Sequence, residues 1–211
     1  MLSPALEAEL LRCLSQPRLG TYRAACSNDF DRAMDLYIWN SQAAAAFYES
    51  LHLLEVALRN TLNNALTAHW SPTWYRDRSV PLSPGSRNEV AKAIQRATQG
   101  GITESPGRVV AELTFGFWWS LLGDNYDQRL WKPCLKQAFP ASVRRRRLHA
   151  TLDDLRRLRN RCAHHEPIFI RSLAADWQTL TGITGLFSTT YRIWVESVSR
   201  VPTVLATKPI P

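Results

Sequence analysis

Arg159, Asn160, His164 and His165 fall within seven residues, in the stretch Arg159-Asn160-Arg161-Cys162-Ala163-His164-His165-Glu166-Pro167. A guanidinium grips paired anionic oxygens through a planar fork of donors. An imidazole carries protons to and fro near neutral pH. A carboxamide donates and accepts at once. The spacing Arg-Asn-x-x-x-His therefore suits chemistry on a phosphodiester. The adjacent His-His-Glu also resembles a metal set, but neighbouring histidines diverge on a helix and no further ligand cluster accompanies them. Neither a metal nor any other cofactor is expected.

The element that must position these groups is a helix from Val143 to about His165, stopped by Pro167. With side chains about 100° apart, Leu148, Leu152, Leu155, Cys162 and Ala163 share one apolar stripe, and Arg159 falls in its middle. Asn160 and His164 lie on the flank, one turn apart. If the helix unwinds early, His165 exchanges roles with His164. An arginine on a packing stripe is either paired in the core or turned into an interface. Glu55, beside the Leu51–Leu54–Leu58–Leu62 stripe of a long earlier helix, is the expected partner, with Arg59 one turn on.

The rest of the chain reads as further helices with almost no strand signal, so the expected class is all-α. Pro4–Leu14 is amphipathic, and Leu19–Asp29 is a connector with a brief helical turn. A long helix begins at Asp29 or Asp31 and runs to about His69, with a break expected near Asn40-Ser41. Ser86–Thr98, the very apolar Arg108–Leu122, and Tyr126–Ala138 follow. Gly116 is expected to admit a close helix neighbour. The last long helix spans about Ser172–Val198, with an interruption expected at Thr181–Gly185. Residues 1–200 form one domain, and 201–211 a loosely ordered tail.

The chain has 211 residues, 45% hydrophobic and 21% charged, the balance of an ordinary globule with a sizeable core. Lys and Arg outnumber Asp and Glu by 26 to 18, a net +8. That favours an anionic partner such as nucleic acid. Arg144, Arg145, Arg146 and Arg147 open the motif helix and read either as a solvated face or, with Arg161, as a phosphate track. Trp70, Trp74 and Tyr75 either stack bases or, as their size favours, pack a loop onto the core. Cys13, Cys26, Cys134 and Cys162 are scattered without a C-x-x-C pair, the pattern of reduced cytoplasmic thiols. No apolar run reaches the length of a membrane helix, and the first residues lack the layout of a signal peptide.

These residues resemble the abortive-infection (Abi-like) family of the HEPN superfamily. Its defining element, Arg followed by Asn and then His, is matched by Arg159-Asn160-(Arg161-Cys162-Ala163)-His164 and its Ala-His-His-Glu-Pro-Ile extension. Leu54-Glu55-Val56-Ala57-Leu58-Arg59-Asn60 is similar to the family's N-terminal helix, and Glu112-Leu113-Thr114-Phe115-Gly116-Phe117-Trp118 to its central one. The resemblance covers about Asp31 to Trp194. It implies a HEPN-like helical bundle with additional helices. It also implies a metal-independent endoribonuclease of phage defence or a toxin–antitoxin system, working as a homodimer with two motifs facing each other. Arg159 and His164 would then be catalytic, with Asn160 orienting phosphate or His. Glu55, Arg59 and His165 would support them. RNA is the expected partner, as substrate or regulator, with an antitoxin as a further one. The alternatives are an RNA-binding module that does not cut, and a helical interaction protein with incidental charge.

Overall fold

The computed structural model describes residues 2–209, and every regular element among them is helical. Pro4–Leu14 (α1) starts at Ser3, whose side chain caps the Leu6 amide. Gln16–Ala25 (α2) follows, a full helix where a connector was expected; it buries Leu19 and Tyr22. Asp29 then caps Phe30–His69 (α3), accepting a hydrogen bond from the Arg32 amide. At 40 residues, α3 is about 60 Å long and forms the spine of the molecule.

Its buried residues include Ala33, Leu36, Asn40, Ala43, Phe47, Leu51, Leu54, Leu58 and Leu62, steps of three and four that keep one stripe inward. No break occurs at Asn40-Ser41. Asn40 instead lies on the buried stripe, 4% exposed, and its side-chain oxygen accepts the amides of Ile168 at 2.8 Å and Phe169 at 3.0 Å. A polar group on an apolar face needs such partners. This one pins the segment that follows the motif onto α3.

Pro84–Ala97 (α4) is capped by Ser83. The expected helix over Arg108–Leu122 is two: Pro106–Glu112 (α5) and Phe115–Ser120 (α6). Leu113 and Thr114 are extended, and the Thr114 hydroxyl caps the Phe117 amide and so starts a new helix. A Cβ on Gly116 would meet only the Thr114 hydroxyl, so no helix approaches closely there. Over Tyr126–Ala138 the chain forms short 3₁₀ and π turns instead of one α-helix.

Arg145–Ala163 (α7) packs against α3 and α6. Leu173–Phe187 (α8) runs unbroken through Thr181–Gly185, where Thr181 and Thr184 return their hydroxyls to carbonyls of the preceding turn. The interruption comes at Ser188, extended and capping Tyr191, before Thr189–Val198 (α9). Residues 201–206, within the expected tail, form Val201–Ala206 (α10). It buries Val201, and the Val204 carbonyl accepts Trp39 Nε1 at 2.8 Å. Ile210 and Pro211, the end of that tail, lie outside the described residues. No helix among the described residues is long and apolar enough to cross a membrane.

Candidate functional site

The inward face of α7 is made by Leu148, Leu152, Leu155, Leu158 and Cys162. Arg159 is displaced from that stripe to the seam between α7 and α3. A third of its side chain, 34%, meets solvent. Its Nε lies 3.9 Å from Glu55 Oε2, and its guanidinium sits 5.5 Å from the centre of the Tyr48 ring. Among the described residues it makes no hydrogen bond. The expected Glu55 partner is thus present, but as a long, half-buried pair without a hydrogen bond and not as a buried lock. Arg159 is not a core arginine, and its fork of donors stays open.

Asn160 is half-buried beside Arg159, and its carboxamide makes no hydrogen bond among the described residues. Its carbonyl accepts the His164 amide at 2.9 Å, the last helical bond of α7. His164 occupies the C-cap and is exposed.

His165 has left the helix. Its φ is +56°, a conformation that disfavours residues with a Cβ. The Glu166 amide reaches back to the Arg161 carbonyl at 2.9 Å and the His165 amide to the Cys162 carbonyl at 3.1 Å. These two bonds make a Schellman cap in which histidine stands where glycine is usual. The Arg18 guanidinium holds the His165 carbonyl at 2.9 Å. His164 and His165 therefore point apart. His165 lines a cavity with Arg18, Tyr37 and Tyr48; His164 does not. Burial pushes the neighbouring Cys162 thiol up to about 12, so it is no nucleophile at neutral pH.

The remaining basic candidates separate. Arg145 is 6% exposed and turned inward. It donates to Asp127 at 2.8 Å, to the Leu122 carbonyl at 2.6 Å, and to Asp124. Its charge is used in clamping the irregular segment before α7, which takes Arg145 out of both the solvated face and the phosphate track. Arg144, Arg146 and Arg147 are exposed. Arg161 lies 3.4 Å from Glu166, with its Nε buried and unbonded. Arg59 lines a separate cleft of about 300 Å³ with Asn60, Asn63 and Asn64, and its Nε too is buried without a partner. Glu55 pairs with Arg159 and not with Arg59.

Trp74 and Tyr75 are buried, Trp74 against Phe117 and Trp118, so the packing reading holds for both. The exposed aromatics are instead Tyr48 and Trp194, which share a surface hollow with His52 and Val198. Sequence periodicity missed Asn40, Tyr48 and Trp194. Asn40 had a signal, a carboxamide on an apolar stripe.

Among the described residues, no three His, Cys, Asp or Glu side chains gather where they could hold a metal ion. All four cysteines are free thiols.

The family described as Abi-like protein is matched over residues 10–170, which includes α2, α3 and the whole of α7. No curated protein and no solved structure matches the chain.

Proposed function

We propose, for a chain that belongs to the Abi-like protein family, that it is a HEPN-type endoribonuclease that needs no metal. Family membership suggests a role in abortive infection. The restraint expected of such a toxin would come from an antitoxin, protein or small RNA, and the cytoplasm is the proposed site of action.

One observation carries the RNase reading. Arg159 and Asn160 stand in the last turn of α7 and His164 at its C-cap, and none of their side chains forms a hydrogen bond within the described residues. Groups kept for the fold are normally bonded to it.

RNA supplies its own nucleophile, the 2′-OH. His164 takes that proton or protonates the leaving 5′ oxygen, which typically contributes about 10²–10⁴-fold. Arg159 holds the non-bridging oxygens as negative charge builds. Asn160 orients the phosphate. A second copy supplies the complementary histidine, because a two-fold interface sets the same patch opposite itself. Support for that dimer comes from the apolar surface beside the motif. Tyr48 touches Arg159 and shares its hollow with Trp194 and Val198, each 41–49% exposed. Exposed clusters of this kind mark contact surfaces. Sedimentation of Trp194→Glu against wild type tests the dimer, which the variant should weaken.

A second reading is RNA binding without turnover. Its specific support is that His164 has no protein group orienting its ring, whereas catalytic imidazoles are commonly held by a second partner. Cleavage of RNA by wild type and by His164→Ala separates the two readings.

A further inference from the structure

Helix α3 carries four consecutive alanines, Ala43–Ala46. Where Ala44 and Ala45 face α2 and the end of α7, these short side chains leave a cavity of about 590 Å³. That is within the usual size of small-ligand pockets, about 300–1,000 Å³. Tyr22, Tyr37 and Tyr48 supply its aromatic wall, and Arg18, Ser41 and His165 its polar groups.

Two details point to a ligand. Tyr22 is 1% exposed, yet its hydroxyl makes no hydrogen bond among the described residues. Burial raises that phenol to about 12, so it remains a donor at neutral pH. The hydroxyl is not one of the enclosed polar atoms that lack a partner, so it is left available to an acceptor that enters the cavity. Moreover, His165 is held at the cavity in a disfavoured backbone conformation, with Arg18 bonded to its carbonyl.

Tyr48 connects this cavity to the motif, because it lines the one and carries the Arg159 guanidinium of the other. An aromatic-walled pocket one side chain from an arginine with open donors matches the way unpaired bases are read in RNA, by stacking and by edge hydrogen bonds. We propose that this cavity seats one unpaired base of a single-stranded RNA whose neighbouring phosphate is held by Arg159. The assignment rests on the RNA reading of the motif, and it does not require cleavage.

The test uses a 2′-O-methyl tetranucleotide, which cannot be cut by 2′-OH attack, and four versions of it, each lacking the base at one position. Wild type should bind one of the four about 5- to 150-fold more weakly than the intact strand, the usual effect of losing one stacked base. Ala45→Trp fills the cavity from an exposed position. It should erase that difference while the thermal midpoint stays unchanged. Tyr22→Phe should weaken the base-dependent part and melt no lower than wild type, because the hydroxyl bonds no protein group among the described residues. The proposal fails if all four abasic strands bind like the intact one, or if Ala45→Trp and Tyr22→Phe both still discriminate as wild type does. Free nucleoside monophosphates binding as tightly as the tetranucleotide, with the same sensitivity to Ala45→Trp, would overturn the assignment to a strand. Base discrimination in a protein that never cuts unmodified RNA would uphold the cavity and remove only the RNase reading.

Discussion

With Glu55 at 3.9 Å and 34% of its side chain in solvent, Arg159 contributes little to the fold. Ion pairs open to solvent are worth about 0–1 kcal/mol. Arg159→Ala should therefore lower the thermal midpoint by no more than about 2–4 °C, with RNA affinity or cleavage severely reduced. A much larger thermal loss would restore the view of a structural arginine. His165 makes the opposite kind of prediction. Relieving its left-handed backbone with glycine should stabilise the protein by about 1 kcal/mol, measured by denaturant titration. The same change should weaken RNA binding, because it removes a side chain from a residue that lines the cavity. A destabilised His165→Gly would mean that the ring has a packing role. The motif and the Glu55 partner were legible from residue types and helical spacing. The left-handed turn at His165 was not, because nothing in the pattern signals a Schellman cap without glycine.

At the scale of elements, α3 and α7 place the motif, and two clamps hold the segments on either side of it. Asn40 bonds two buried amides of the chain after α7. Leaving them unpaired costs about 1–3 kcal/mol each, so Asn40→Ala should be among the most destabilising polar changes, read by thermal melting. Arg145 holds the turns before α7, and its replacement should destabilise by about 1.5–3 kcal/mol. Arg146→Ala and Arg147→Ala should leave melting unchanged and each reduce the salt dependence of RNA binding by about one charge. If Arg145→Ala instead weakens binding without lowering stability, the division of the run is wrong. That division escaped periodicity because it depends on where Asp124 and Asp127 lie. Their irregular turns have no sequence period. The long helix was plain, with its cap and stripe; the break at Thr114 was hidden by continuous apolar residues that satisfy a helix or a kink equally.

The whole molecule is a basic all-α bundle, +8 in formal charge, and its stability should respond to mild acid through His149. That ring stacks on Trp119 at 4.5 Å, with Arg156 over the same indole. Burial, and then Arg145, hold its pKa below the ordinary imidazole value against the pull of Asp153 and Asp124. The unfolded chain therefore takes up the proton first. Stability from this group is full above about pH 6.5 and declines as pH falls from there toward the lower folded value. Melting at pH 7.5 and 5.5 should show a smaller loss for His149→Phe than for wild type, and equal losses would refute the assignment. The central claim concerns chemistry at the open end of α7. Single-turnover cleavage of unmodified RNA in excess chelator tests it most directly. Wild type is predicted to cut and leave 2′,3′-cyclic phosphate ends, with Arg159→Ala and His164→Ala each slower by about 10²–10⁴-fold. Cleavage by His164→Ala at the wild-type rate, or wild-type activity abolished by the chelator, would contradict it.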